Sequence, residues 1–218
     1  MCIRDSYYQI TIFIITLSAS YLIVKYSGVK YLFSVLLIST SLFLVYNSLR
    51  DILIKSIQFP QKISHFAFSI LILSILINGI YSKEFNSNMK VGDEIVFMDK
   101  KIKFKSIDFE EEVNYKLLKG NFEVSEKGKS AMVFNPEIRI YNQPVISTSE
   151  ADIKTNLFSD NFIVFTLIQE SEIFNVRYQH KPFMIWIWIS IVLLAFGGAF
   201  AIFKNCLLYT SDAADDRL

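Results

Sequence analysis

The chain has 218 residues, of which 52% are hydrophobic, 15% aromatic and 20% charged, and its formal net charge is +1. A mean hydropathy of +0.37 is too high for an ordinary soluble domain. The near-zero net charge and the absence of any basic stripe exclude a nucleic-acid partner. Because a fifth of the residues are nevertheless charged, we expect apolar and polar residues to be segregated along the chain.

The two ends of the chain resemble one inverted DNA tag. When Met1 to Asp5 are back-translated and extended by two bases, the reverse complement encodes Cys206 to Thr210 in another frame. We therefore expect residues 1–6 and 206–218 to be adapter-derived scars around a segment cut from a longer protein. Both cysteines fall in these ends, so we infer no disulfide, metal or redox site from them.

Four apolar runs are long enough to predict transmembrane helices, of which the first three lie within residues 7–81 and the last within 182–205. They are Tyr8–Val24, Tyr31–Tyr46, Ile63–Tyr81 and Phe183–Phe203. The polar stretch at 82–181 carries most of the charge. This segregation predicts an α-helical membrane protein of about four transmembrane helices with an inserted polar domain.

The first short connections set the expected orientation. Residues 47–62 carry three basic side chains, whereas the preceding turn carries Lys25 and Lys30. By the positive-inside rule we expect the 47–62 connection to be cytoplasmic and the 82–181 domain to be extracytoplasmic.

The same connection contains apolar residues at helical spacing from Leu49 to Phe59, followed by Pro60. This pattern predicts a short helix near 49–59 that lies in the membrane interface and ends at the proline.

The polar domain is predicted to be an antiparallel β barrel or sandwich of six or more short strands. Apolar residues alternate with polar ones around Ile95–Phe97, Ile102–Phe104 and Phe122–Val124, and glycine or Asn-Pro pairs separate these stretches. Further short strands are expected at 138–141, 162–168 and 173–178.

His65 is the main candidate site residue, because an imidazole within a transmembrane run is costly unless it faces a partner. Its neutral nitrogen could bind haem iron, or it could be an interfacial histidine bonded to a backbone carbonyl. The other histidine, His180, precedes the last apolar run and should lie on the opposite side of the membrane. A second ligand for a metal at His65 must then come from outside this chain, and His180 is expected to be a solvated interface residue.

Other motifs favour structural roles. Gly197 and Gly198 form a thin helix patch suited to close helix packing and suggest a larger bundle. No catalytic triad, zinc-protease motif, phosphate loop or dinucleotide fingerprint is present, so we assign no catalytic residue.

The order of several short motifs resembles the C-terminal part of the CcmF family, the haem lyase subunit of bacterial cytochrome c biogenesis. The matching stretches are Ile63–Ala67, Gly92–Glu94, Asn114–Tyr115, Asn135–Tyr141, Gln143–Pro144 with Thr148, Glu150, Ile153 and Lys154, and Arg177–Phe183 leading through Trp186–Trp188 to Gly197–Gly198.

The resemblance implies a multi-pass protein of the bacterial inner membrane with residues 82–181 in the periplasm. It implies that His65 binds the iron of a membrane haem b, with the partner histidine outside this chain. It also implies haem, apocytochrome c and other cytochrome c maturation proteins as partners, in addition to membrane lipid. The family's tryptophan-rich haem-handling tract is missing, since the only tryptophans are Trp186 and Trp188. We therefore expect the chain alone to be inactive in haem attachment.

The alternative is a non-enzymatic, membrane-anchored β domain that acts as a scaffold or binding module in a respiratory or transport complex. It predicts that no haem binds and that His65 can be replaced by Gln or Asn.

Overall fold

The structure, a computed structural model, describes residues 3–27, 32–54, 57–126, 128, 130–168 and 172–215, without the side chains of residues 3–6, 32 and 204–215. The chain divides into two compact units. One contains Met1–Tyr81 together with Phe183–Leu218, and the other contains Ser82–Pro182. The second unit is thus inserted into the sequence of the first.

The described residues of the first unit form four helices, as predicted. They are α1 (Ile3–Tyr26), α2 (Leu32–Leu53), α3 (Phe59–Tyr81) and α4 (Met184–Asp215). Each contains a stretch long and apolar enough to cross a membrane: Tyr7–Tyr26, Phe33–Leu53, Phe59–Tyr81 and Met184–Phe203. Neighbours in sequence pack together, α1 on α2, α2 on α3 and α3 on α4. The predicted scars at 1–6 and 206–218 overlap the outer ends of α1 and α4, and their origin stays a prediction.

The predicted interfacial helix at 49–59 is wrong. Residues 49–53 continue α2, and Phe59 already begins α3; the described residues between them, 54, 57 and 58, are not helical. Pro60 lies in the first turn of α3, where a missing backbone N–H costs nothing and the fixed φ favours the helix. The proline therefore starts a helix rather than ending one.

Serine side chains are concentrated in the interior of the helical unit. The described buried serines on its helices are Ser20, Ser34, Ser39, Ser41, Ser48, Ser69, Ser74 and Ser190. Small side chains allow helix backbones to approach closely, and their hydroxyls can bond within or between helices. Ser41, for example, donates a hydrogen bond to the backbone carbonyl of Ile38 at 2.9 Å.

The second unit contains ten strands in its described residues. They are β1 (Lys83–Met89), β2 (Glu94–Phe97), β3 (Lys100–Glu111), β4 (Tyr115–Glu126), β5 (Met132–Phe134), β6 (Glu137–Asn142), β7 (Val145–Glu150), β8 (Asp152–Thr155), β9 (Ser159–Leu167) and β10 (Phe174–Pro182). All recorded pairings are antiparallel. One sheet has the order β1-β10-β9-β8, and the other has the order β2-β3-β4-β6-β7 with β5 also on β4.

The inward faces of the two sheets form one aromatic core. Phe104 stacks on Phe122 with ring centroids 4.2 Å apart, and Phe165 contacts both rings edge-on. Gly120 leaves room for these rings, because a Cβ there would lie 2.7 Å from the Phe122 ring and 3.1 Å from that of Phe165. The alternating pattern predicted from the sequence therefore corresponds to buried positions of a sandwich.

Candidate functional site

His65 lies in the second turn of α3, six residues after Phe59. At 1.5 Å per residue, this places it about 9 Å along the helix axis. The helix begins four residues earlier than the apolar run at Ile63, so His65 is further inside α3 than the sequence indicated. Its side chain is 47% exposed on the surface of the helical unit.

The imidazole has a carboxylate partner on the neighbouring helix. His65 Nδ1 lies 3.0 Å from Oδ2 of Asp51, close to the end of α2, and the Asp51 side chain is only 18% exposed. This partner differs from the backbone carbonyl considered for an interfacial histidine. Because an ionised carboxylate only accepts hydrogen bonds, Nδ1 is the donor in this pair. Within the described residues, Nε2 has no hydrogen-bond partner.

Two further polar contacts join α2 and α3 on either side of this pair. The Lys62 ammonium donates to the Ile52 backbone carbonyl at 2.8 Å, near the end of α2. Deeper in the pair of helices, the hydroxyls of Ser48 and Ser69 are 2.8 Å apart and buried. These contacts, with His65–Asp51 between them, form a polar seam that fixes the register of α3 against α2.

The helix α4 packs on the residue before His65. A Cβ at Gly197 would lie 2.3 Å from Ser64 Oγ and 3.3 Å from the Pro60 carbonyl oxygen. The sequence suggested that the glycine patch packs against further helices of a larger bundle, but at Gly197 the neighbour is α3. A Cβ at Gly198 would meet nothing within 4 Å. The first two turns of α3 are thus held from two sides.

This arrangement suits one axial bond to a metal. Histidines that bind metals commonly donate their second ring N–H to a carboxylate, which fixes the tautomer and the ring orientation. The Nδ1–Asp51 bond leaves the Nε2 lone pair available on an exposed face of the helical unit. No group of three or more His, Cys, Asp or Glu side chains in the described part of the chain could hold a metal ion. A single imidazole held in this way could supply one axial ligand to a haem.

His180 lies in the other unit, on β10, and it is half-buried rather than solvated as predicted. Its Nδ1 is 2.8 Å from Asn161 Oδ1, which also accepts hydrogen bonds from Tyr178 OH at 2.7 Å and Lys100 Nζ at 3.0 Å. These residues line a cavity of about 360 Å³ in the β unit.

Asp51 is the site residue that sequence reasoning missed. It lies in the stretch predicted to form an interfacial helix, and the sequence pattern does not place it beside His65. A signal was present, because Asp51 lies two residues before the end of α2 and His65 lies six residues after the start of α3. Both residues are therefore close to the same end of this helix pair.

The family model described as the CcmF C-terminal beta-sandwich matches residues 80–182. Among curated proteins, the cytochrome c-type biogenesis protein CcmF of Pseudomonas aeruginosa is 28% identical over 141 residues, which are 65% of this chain and 22% of that protein. A cytochrome c-type biogenesis protein of Rhodobacter capsulatus is 33% identical over 113 residues, 52% of this chain and 17% of that protein. Escherichia coli CcmF is 26% identical over 140 residues, 64% of this chain and 22% of that protein.

The chain spans about a fifth of the length of these relatives. A solved structure titled cytochrome c haem lyase CcmF superimposes with a TM-score of 0.68 at 14% identity, covering 90% of this chain and 34% of that one. This match supports the fold over both the helical unit and the β unit. In its β-sandwich, its helices and its relatives the chain is thus similar to the C-terminal part of CcmF proteins, and together these matches support a CcmF C-terminal fragment.

Proposed function

We propose that this chain is part of a cytochrome c haem lyase subunit and that His65 is an axial ligand of a haem b held in the membrane. The observation that carries the proposal is the His65–Asp51 pair, 3.0 Å apart, which leaves Nε2 without a hydrogen-bond partner among the described residues. An imidazole at membrane depth is unfavourable against lipid. A macrocycle bound at Nε2 would cover this polar atom.

The chain supplies one ligand, and the second comes from a part of the protein outside these residues. The Asp51 bond orients the ring, whereas the two other contacts of the polar seam join α2 to α3 and the Gly197–Ser64 contact brings α4 onto α3. When bound, the haem supplies one-electron chemistry, and the protein tunes it through the axial ligand and its hydrogen bonds. The role of His65 and its helix neighbours is to bind and orient.

The placement of the chain follows from the same proposal. The protein is a multi-pass protein of the bacterial inner membrane, with the α2–α3 connection in the cytoplasm and residues 82–181 in the periplasm. The complete protein takes part in covalent attachment of haem to apocytochrome c, together with other cytochrome c maturation proteins. This chain contributes haem binding rather than the attachment chemistry.

The proposal is tested by replacing His65 with Ala in the full-length protein that contains this chain. Low-spin b-type absorption and bound haem per protein should both be lost or strongly reduced, because one axial bond to iron is removed. The measurement is the absorption spectrum of the purified, reduced protein with a pyridine haemochrome assay.

The matched control is His180→Ala, since His180 is the other histidine of this chain and bonds to Asn161 in the β unit. It should leave the b-type spectrum unchanged. Wild-type absorption in His65→Ala would remove His65 from the haem site. If no preparation contains haem and His65→Gln is tolerated, the scaffold alternative would be favoured.

A further inference from the structure

We propose that Asp51 is a positioning residue that orients His65 and increases the electron donation of its imidazole to the haem iron. This inference rests on the proposed function, because Asp51 can act on a haem only through a His65 that binds it.

The first step of the argument is geometric. Asp51 Oδ2 and His65 Nδ1 are within hydrogen-bonding distance at 3.0 Å, and the carboxylate is largely withdrawn from the surface while the imidazole is half-exposed. The carboxylate therefore fixes the orientation of the imidazole ring through Nδ1. It selects the tautomer with the proton on Nδ1, which is the form that presents a lone pair at Nε2.

The second step concerns why a carboxylate is present at this position. Joining α2 to α3 does not require it, because Lys62 already bonds the Ile52 carbonyl and Ser48 already contacts Ser69. An acidic side chain within a membrane-spanning segment is costly and is usually retained for function. A role in directing the imidazole accounts for this carboxylate, whereas helix packing alone does not.

The third step is electronic. A carboxylate that accepts the Nδ1–H bond makes the imidazole a stronger donor at Nε2. Stronger donation favours the oxidised iron, so the carboxylate lowers the reduction potential of the haem. Asp51→Asn keeps the size and an acceptor oxygen but removes the charge, and it should raise the potential while leaving the haem bound.

The experiment uses the full-length protein and four variants: Asp51→Asn, Asp51→Ala, Ser48→Ala and His65→Ala. Redox titration of the b-type absorption and the haem-to-protein ratio are measured for each. In Asp51→Asn the equilibrium constant for one-electron reduction should rise roughly tenfold, an upward shift of about 59 mV. Asp51→Ala should weaken haem retention roughly tenfold, as is typical when a partner of a metal-binding histidine is removed.

Ser48→Ala is the structural control, because it removes an α2–α3 contact without touching the imidazole. It should leave both readouts at the wild-type value. An unchanged potential in Asp51→Asn, or an equal shift in Ser48→Ala, would overturn the role of Asp51. The near-isosteric Asn variant keeps the test decisive even where Asp51→Ala does not fold.

The same set separates this inference from the proposed function. Loss of the b-type haem in His65→Ala with no shift in Asp51→Asn would remove Asp51 alone. Retention of the wild-type spectrum and potential in His65→Ala would remove both assignments together.

Discussion

Polar side chains in both units have partners that lie on other helices or strands. In the helical unit, His65 meets Asp51 across a helix pair, and neither residue is close to the other in sequence. In the β unit, Asn161 is 3% exposed and accepts three hydrogen bonds through one oxygen. Buried polar groups of this kind are stable only when their partners are in place.

Tyr178 is the most buried titratable member of the β-unit network, at 1% exposure. Burial raises the pKa of its phenol well above the ordinary value of 10.0, and the nearby carboxylates of Glu126 and Asp99 raise it further. Because the pKa of Tyr178 is higher in the folded than in the unfolded protein, its protonated phenol stabilises the folded state. This stabilisation is fully present below the unfolded pKa of 10.0 and is lost as the pH rises toward the folded pKa.

We therefore expect the β unit to lose stability as the pH rises above about 10, more steeply in wild type than in Tyr178→Phe. At neutral pH the variant should cost only about 1 kcal/mol, because Lys100 and His180 still bond Asn161. Thermal unfolding of the chain in detergent, followed across this pH range, measures both effects. Parallel pH dependences in the two proteins would contradict the assignment.

Among the elements, the α3–α4 pair depends on one small residue. Gly197 allows α4 to approach the first turns of α3, where its nearest neighbours are Ser64 and the Pro60 carbonyl. The adjacent Gly198 has open space around it. Two neighbouring glycines thus have opposite requirements, and only Gly197 is needed for the contact beside His65.

Gly197→Ala is expected to destabilise the helical unit by about 1–3 kcal/mol, since an added methyl group overlaps atoms of α3. Gly198→Ala is the matched control and should be neutral or stabilising by up to about 1 kcal/mol, because alanine favours helix more than glycine. Resistance to denaturant in detergent micelles measures the difference. Combining Gly197→Ala with Ser64→Ala should recover part of the loss, and equal effects of the two single variants would argue against this contact.

On the scale of the whole molecule, the first and last strands of the β unit are neighbours in one sheet. Its first strand pairs with its last over the whole of β1, from Lys83 opposite His180 to Met89 opposite Phe174. The two chain connections to the helices therefore leave from neighbouring positions. A unit with its own core and adjacent ends can be inserted into another unit without breaking either.

We accordingly expect residues 82–182 to fold when expressed alone. Circular dichroism should show a β spectrum, and heating should give one cooperative transition, because the aromatic core lies entirely within this unit. The control is the same segment starting after β1, which exposes the edge of β10 and should not unfold cooperatively. A non-cooperative transition in the complete segment would contradict the independence of the unit.

Much of the fold was predictable because hydrophobic patterns are local. Runs of apolar residues predicted the four described helices, and period-two alternation predicted β strands around Phe97, Phe104 and Phe122. Strands with polar or exposed residues on both faces, such as β1 and β7, were missed, since they lack that alternation. The boundaries near Pro60 were also wrong, because a proline can start a helix as readily as it ends one.

Residue type and spacing along the chain were enough to predict the division into membrane helices and an inserted β domain and to single out His65. Only the tertiary structure brought Asp51 to His65, Gly197 to Ser64, and Lys100, Tyr178 and His180 to Asn161. These contacts join residues far apart in sequence. Their partners are decided by the register in which helices and strands pack, which no local pattern specifies.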